Sequence, residues 1–253
     1  MHEIEMHKMS EKFFPCWRAA GKHLVRQVDG GVSWLRAHPY PPFLEHLSFR
    51  LGNQLFFIRI LDCENRIAGP GNMEGLFAVT EAAKGYACLL PMRKNLTDET
   101  WATELSGWGL LDAVSHKPIN PVELISDTKI EMTDWEVHDM AVQVVHDYLE
   151  NHKFQLMSWQ GNPGVDPSIW FIGKSGRPEW VVVRSAKYPN KIADKPINIS
   201  AIRSSCAKVG TVGHFASVSI VSVEQSFLSD HEPVAPLWRG HGMHVRFTGL
   251  DPL

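Results

Sequence analysis

The sequence predicts an α/β protein of two mixed α/β halves. Stretches with helical spacing alternate along the chain with β-rich runs bounded by Gly and Pro. A hairpin, a helix and a strand recur in that order, at 47–62, 73–84 and 86–92 and again at 168–186, 198–209 and 213–223. Sequence identity between the halves is negligible, so a structural duplication stands as a hypothesis. A chain of 253 residues has room for one large or two small domains. The expected division is a leader over 1–12, an N-terminal α/β domain over 13–125 and a C-terminal α/β domain over 126–253.

The opening MHEIEMHKMSEK places charges and histidines where a signal peptide needs an apolar core, and reads as a mobile leader. Phe13 to Val28 predicts a helix with Trp17, Ala20, Leu24 and Val28 on one side, stopped by Asp29-Gly30-Gly31. Trp34 to Phe43 is rich in Pro and aromatic residues and reads as a loop. Leu47 to Leu51 and Gln54 to Asp62 form a hairpin around Gly52-Asn53. Met73 to Lys84 suits a helix ended near Gly85, and Tyr86 to Met92 a short strand. Asp98 to Leu105 is expected to form one or two helical turns, and Trp108 to Val114 a strand. His116 to Asp127 carries two prolines and reads as the connection between domains.

The most ordered stretch is Thr133 to Tyr188. Val137, Met140, Ala141, Val144, Val145, Tyr148 and Leu149 make one apolar helical stripe. Thr133 and Glu136 have the spacing of a capping box, and Asp134 and Glu136 suit the positive end of the helix dipole. Phe154 to Trp159 reads as a strand, GNPGVDP as a loop, and Ser168 to Ile172 and Glu179 to Ala186 as two strands joined by Gly-Lys-Ser-Gly. A helix capped at Asn198 or Ser200 runs through Ala207, Gly213 to Val223 reads as a buried strand, Phe227 to Gly242 is irregular, and His244 to Thr248 reads as a last strand.

Composition narrows the function classes. Hydrophobic content of 44% and charged content of 21% are those of a globular chain. The formal charge of −3, without a Lys/Arg tail, argues against a strong nucleic-acid binder, although it leaves room for a local basic groove. Cys16, Cys63, Cys88 and Cys206 lack the spacing of a disulfide framework or a zinc ribbon and suggest reduced thiols in a cytoplasmic protein. No apolar run is long enough for a membrane span.

The order helix, strand, Asp-bearing strand, strand, helix, strand over roughly residues 133–221 resembles the core of the restriction-endonuclease-like PD-(D/E)xK superfamily. The resemblance implies a helix Glu at Glu136 and a strand Asp at Asp166, together holding Mg²⁺, with an acid-x-Lys triplet on the next strand. Such carboxylates hold a hard cation that generates the attacking water, and the Lys orients that water. The pattern then departs. Aligning the triplet on Val182-Val183-Arg184 keeps a cation and loses the acid, whereas Glu179-Trp180-Val181 keeps the acid and loses the cation. Lys187 substitutes for the Lys only if the strand end bends. Glu136, Asp166, Glu179, Arg184 and Lys187 are therefore the candidate catalytic residues, with Glu136 and Asp166 as metal ligands. Each has a structural role as well: a cap for Glu136, a turn for Asp166, an exposed hairpin position for Glu179 and sheet-edge charges for Arg184 and Lys187.

Among the 13 histidines, His241-x-x-His244 has ligand spacing without a third ligand nearby, and His138 and His146 point to different faces of their helix. Phosphate-binding and hydrolase motifs are absent. The leading expectation is a non-catalytic binding or regulatory protein on a degenerate nuclease-like scaffold. It needs no cofactor, and its partner is a protein, of the immunity or complex-forming type. An active Mg²⁺-dependent nuclease acting on DNA or RNA is the rival. A small-molecule enzyme using the loop 227–244 is a third reading.

Overall fold

The structure, a computed structural model, describes residues 12–36, 46–225 and 234–253. The chain divides into two compact units, 1–128 and 129–253. The boundary falls three residues beyond the expected one.

In the first unit α1 (Phe14–Val25) precedes β1 (Ser33–Arg36), β2 (Leu47–Leu51) and β3 (Gln54–Asp62). Then come α2 (Met73–Ala83), β4 (Tyr86–Lys94), β5 (Trp101–Thr103), β6 (Leu110–Asp112), β7 (Pro118–Ile119) and a 3₁₀ turn at Pro121–Leu124. The sheet order is β1-β2-β3-β4-β6-β7, with β5 also paired to β4. Only β3 and β4, which α2 connects, run parallel among these pairs. That is expected, because parallel neighbours need a crossover. Trp17, Ala20 and Leu24 of α1 bury against Phe49, Phe56, Ile58, Ile60, Leu90 and Trp108. Asn72 caps α2 by accepting from the Gly75 N–H, and Lys84 ends it in the left-handed conformation, φ 49°.

Two expectations fail here. Ser33–Arg36, expected to open a loop, is a strand paired with β2, and the rest of that loop, 37–43, lies outside the described residues. Trp101–Thr103 is a strand where helical turns were expected. Its partner is the end of β4, with Arg93 opposite Ala102, and Arg93 binds Glu104 through two hydrogen bonds of 2.5 and 2.7 Å. Sheet pairing overrides local preference at both places.

The second unit repeats the course of the first. α3 (Asp134–Asn151) leads into β8 (Gln155–Trp159), β9 (Ile169–Ile172) and β10 (Pro178–Lys187). α4 (Ile199–Cys206), β11 (Val212–Ser222), β12 (Met243–Phe247) and β13 (Asp251–Pro252) follow. The sheet order is β12-β11-β10-β9-β8, with β13 also on β11. Among the described residues one pair is again parallel, β10 with β11, and again a helix connects its strands. Helix, three-strand meander, helix and parallel strand thus recur in both units, which extends the shared order read from the sequence.

Alternation along β10 defines the two faces of this sheet. Trp180 and Val182, with Phe215 of β11, pack on Ile202 and Cys206 of α4. Val181 and Val183, fully buried, point to the opposite face, and α3 packs against β10, β8 and β11. Gly213 lies where a Cβ would come within 2.2 Å of the Trp180 ring, whose indole N–H donates to the Gly210 carbonyl at 3.1 Å. Among the described residues no helix is long and apolar enough to cross a membrane.

Candidate functional site

The predicted residues cluster in the second unit around β10, and each carboxylate has its own cationic or imidazole partner. Thr133 caps α3, its hydroxyl accepting from the Glu136 N–H at 3.3 Å, while Glu136 Oε2 accepts from the Thr133 N–H at 2.8 Å. The same carboxylate is gripped by Arg239, whose Nε donates to Oε1 at 2.8 Å and whose terminal amine donates to Oε2 at 2.9 Å. Both side chains are buried, at 7% and 1% exposure. Backbone bonds set Arg239 in place: Met132 N–H donates to the Leu237 carbonyl and Arg239 N–H to the Ile130 carbonyl. Glu136 is thus both a cap and half of a buried ion pair.

Asp166 sits at the end of the loop between β8 and β9. That loop is tied by Gln160, which donates from its side chain to the Val165 carbonyl and from its backbone to the Ser168 carbonyl. Both oxygens of Asp166 accept from Arg184, at 2.9 and 2.6 Å, in the two-pronged geometry that guanidinium and carboxylate share. Arg184 lies on the α4 side of the sheet by alternation, as do Trp180 and Val182. Burial pushes the Cys206 thiol on that side up to about 11, and the Asp166 charge adds to the effect.

Glu179 projects to the other side, where Oε2 meets His214 Nε2 at 2.7 Å across the parallel pair. Its carboxylate presses on Gly173, where a Cβ would come within 1.8 Å of Oε1. Lys187, at the far end of β10, donates to Asp134 of α3 at 2.6 Å, an exposed pair. The structure therefore brings together Asp166 with Arg184, and Glu136 with Arg239. It does not bring Glu136, Asp166 and Glu179 onto one cation: among the described residues no such trio has ligand atoms within reach of one another.

The described residues hold one other group with metal-ligand spacing. His146 Nδ1, Asp147 and Glu150 on α3 have ligand atoms within 4.8 Å, with Nδ1 at 3.0 Å from Asp147 and 3.9 Å from Glu150. The His146 ring packs on Trp159, centroids 4.6 Å apart, and its bond to the neighbouring Asp147 is the simplest account of the arrangement. His244 lies on β12 opposite Val221, and His241 falls in the turn before it. Neither belongs to a group of three ligands among the described residues.

The reading built on 227–244 falls partly on residues 226–233, outside the described residues. Among the described residues a cleft of about 60 Å³ is bordered by Glu131, Lys187, Tyr188, Val221, Gln225 and Leu237. Small-molecule sites run to several hundred Å³, roughly 300 and more.

Arg239 is the functional-looking residue that sequence reasoning missed. It lies 103 positions from Glu136, and no local pattern links the two. A domain of unknown function, DUF8840, matches residues 135–253, from the first turn of α3 to the last residue. No curated protein and no solved structure matches the chain.

Proposed function

We propose that this protein is a non-catalytic binding or regulatory protein, its second unit a degenerate scaffold of the restriction-endonuclease type, and that its partner is a protein. The observation that carries the reading is the Asp166–Arg184 pair. Where metal-dependent cleavage needs a carboxylate with free lone pairs, Asp166 spends both oxygens on a guanidinium 2.6 and 2.9 Å away. Arg184 also stands where the triplet's Lys would activate water, and a guanidinium stays protonated and engaged. Glu136 is bound by Arg239 in the same two-pronged way. A divalent cation at either carboxylate would have to displace a hydrogen-bonded arginine.

The scaffold part of the reading is supported by the order of α3, β8, β9, β10, α4 and β11, with Asp166 in the loop just before β9. Placement in the reducing cytoplasm is supported by the thiols. Cys16, Cys88 and Cys206 are buried, and burial raises their pKa, that of Cys16 to about 12, so they stay thiols and are inert toward exchange.

Calorimetric titration of the full chain with Mn²⁺, comparing wild type with Asp166→Ala, tests the reading alongside incubation of DNA and RNA with Mg²⁺ or Mn²⁺. The expected result is no saturable binding that depends on Asp166, and intact substrates. Saturable Mn²⁺ binding and cleavage, both lost in Asp166→Ala, would overturn it and restore the nuclease.

A further inference from the structure

The two helical layers of the second unit carry opposite charge. α3 holds Asp134, Glu136, Asp139, Asp147 and Glu150 and no Lys or Arg. The layer over the other sheet face, residues 190–210, holds Lys191, Lys195, Arg203 and Lys208 against Asp194 alone, a net of +3. All four cations are exposed. This layer is fixed to the sheet along its length. Ala193 N–H donates to the Ser217 hydroxyl at 2.8 Å, the Ser219 hydroxyl donates to the Lys191 carbonyl, and Lys195 Nζ stands 5.7 Å from the Phe215 ring centroid. Ile202 and Cys206 anchor α4 on Trp180 and Val182. Between the cations the layer exposes aliphatic side chains: Ile192 is 74%, Ile197 106% and Val209 57% exposed.

We propose that residues 190–210 form the docking surface for an acidic protein partner that carries aliphatic side chains among its carboxylates. The proposal rests on the reading of this protein as a non-catalytic binder and names the partner's chemistry. The cations attract and orient a negative surface at long range. The isoleucines and Val209 supply apolar area that is buried only on association. A nucleic acid would use the cations but not the aliphatic groups. Its backbone takes charged and polar contacts, and single strands stack on aromatic rings, of which 190–210 contains none. The −3 charge of the whole chain conceals this layer because α3 offsets it.

Fluorescence anisotropy on the full chain tests the proposal with three labelled probes: a peptide of mixed Glu and Leu, a peptide of Glu alone with the same charge, and a short DNA duplex. The mixed peptide is expected to bind about tenfold more tightly than the Glu peptide, an apolar gain of ordinary interface size. Arg203→Glu with Lys208→Glu should weaken both peptides about tenfold, the scale of losing charge complementarity at an exposed surface. Ile192→Ser with Ile197→Ser should abolish the preference for the mixed peptide and leave the Glu peptide unchanged. These positions are exposed, and unchanged melting temperatures confirm that the variants fold. Equal peptide affinities in wild type and variants, or tighter binding of the duplex than of either peptide, would overturn the proposal. Neither outcome touches the non-catalytic reading, which falls only on metal-dependent cleavage.

Discussion

Arg239 shows how much of the second unit hangs on one side chain. Its guanidinium is 1% exposed and meets a carboxylate 7% exposed, so neither charge has water to fall back on. The Coulomb gain and the hydrogen bonds offset the desolvation of both, and the pair as a whole is close to neutral for stability. Removing one member is different, because the other is left buried without its counter-charge. Arg239→Ala is expected to lower unfolding stability by roughly 3–5 kcal/mol in urea titration, the usual cost of orphaning a buried charge. Replacing both residues, Glu136→Leu with Arg239→Met, should recover much of that loss. A single-variant loss below about 1 kcal/mol would show that Glu136 is solvated or rebound when Arg239 leaves, against the burial seen here. Asp166 and Arg184 form a shallower pair, 12% and 23% exposed, so its loss should cost less.

At the scale of elements, α3 was readable in full and β5 was not, and the reason is physical. The α3 signal is local: a Thr133–Glu136 capping box, an apolar stripe at helical period and acids in the first turn all fall within one stretch of chain. Thr133→Ala is expected to cost about 1 kcal/mol, the usual worth of a capping hydroxyl, read as a shift in the urea midpoint with unchanged slope. No shift would mean the Glu136 side chain alone holds the first turn. β1 and β5 carry no comparable local signal. Ser33–Arg36 is defined by its pairing with β2, and Trp101–Thr103 by Met92 to Lys94 across the sheet. The candidate site divides in the same way. Glu136, Asp166, Glu179, Arg184 and Lys187 were all legible as charged positions on or beside recognisable elements. Their partners were not. Asp166 reaches Arg184 over 18 positions, Glu179 reaches His214 over 35 and Lys187 reaches Asp134 over 53. Which side of β10 each residue faces follows from alternation, but which cation meets which acid depends on loop closure, which has no sequence period.

At the scale of the whole chain, the two units each carry a complete sheet, a parallel pair bridged by a helix, and apolar residues buried on both sheet faces. Phe49, Phe56 and Leu90 fill the first, and Trp180, Val182 and Phe215 fill one face of the second. The matched family region starts six residues after the second unit does and ends with it at residue 253, so sequence similarity and structural compactness pick out the same piece. A segment of this length buries enough surface for independent folding, which domains above about 60 residues commonly achieve. Its ion pairs Glu136–Arg239, Asp166–Arg184 and Lys187–Asp134, and the Glu179–His214 hydrogen bond, also close within 129–253. A fragment of residues 129–253 is therefore expected to unfold in a single cooperative urea transition. Its slope should fall at the lower end of the range for small proteins, about 1–2 kcal/mol/M, in proportion to the surface exposed. Near-ultraviolet circular dichroism would follow the packing of Trp159, Trp170 and Trp180, and fluorescence the same transition. Coincident curves would establish the unit as a domain. A fragment with helical signal but no fixed aromatic signal, unfolding without a midpoint, would show that its core is completed only within the full chain, and the domain division would fall.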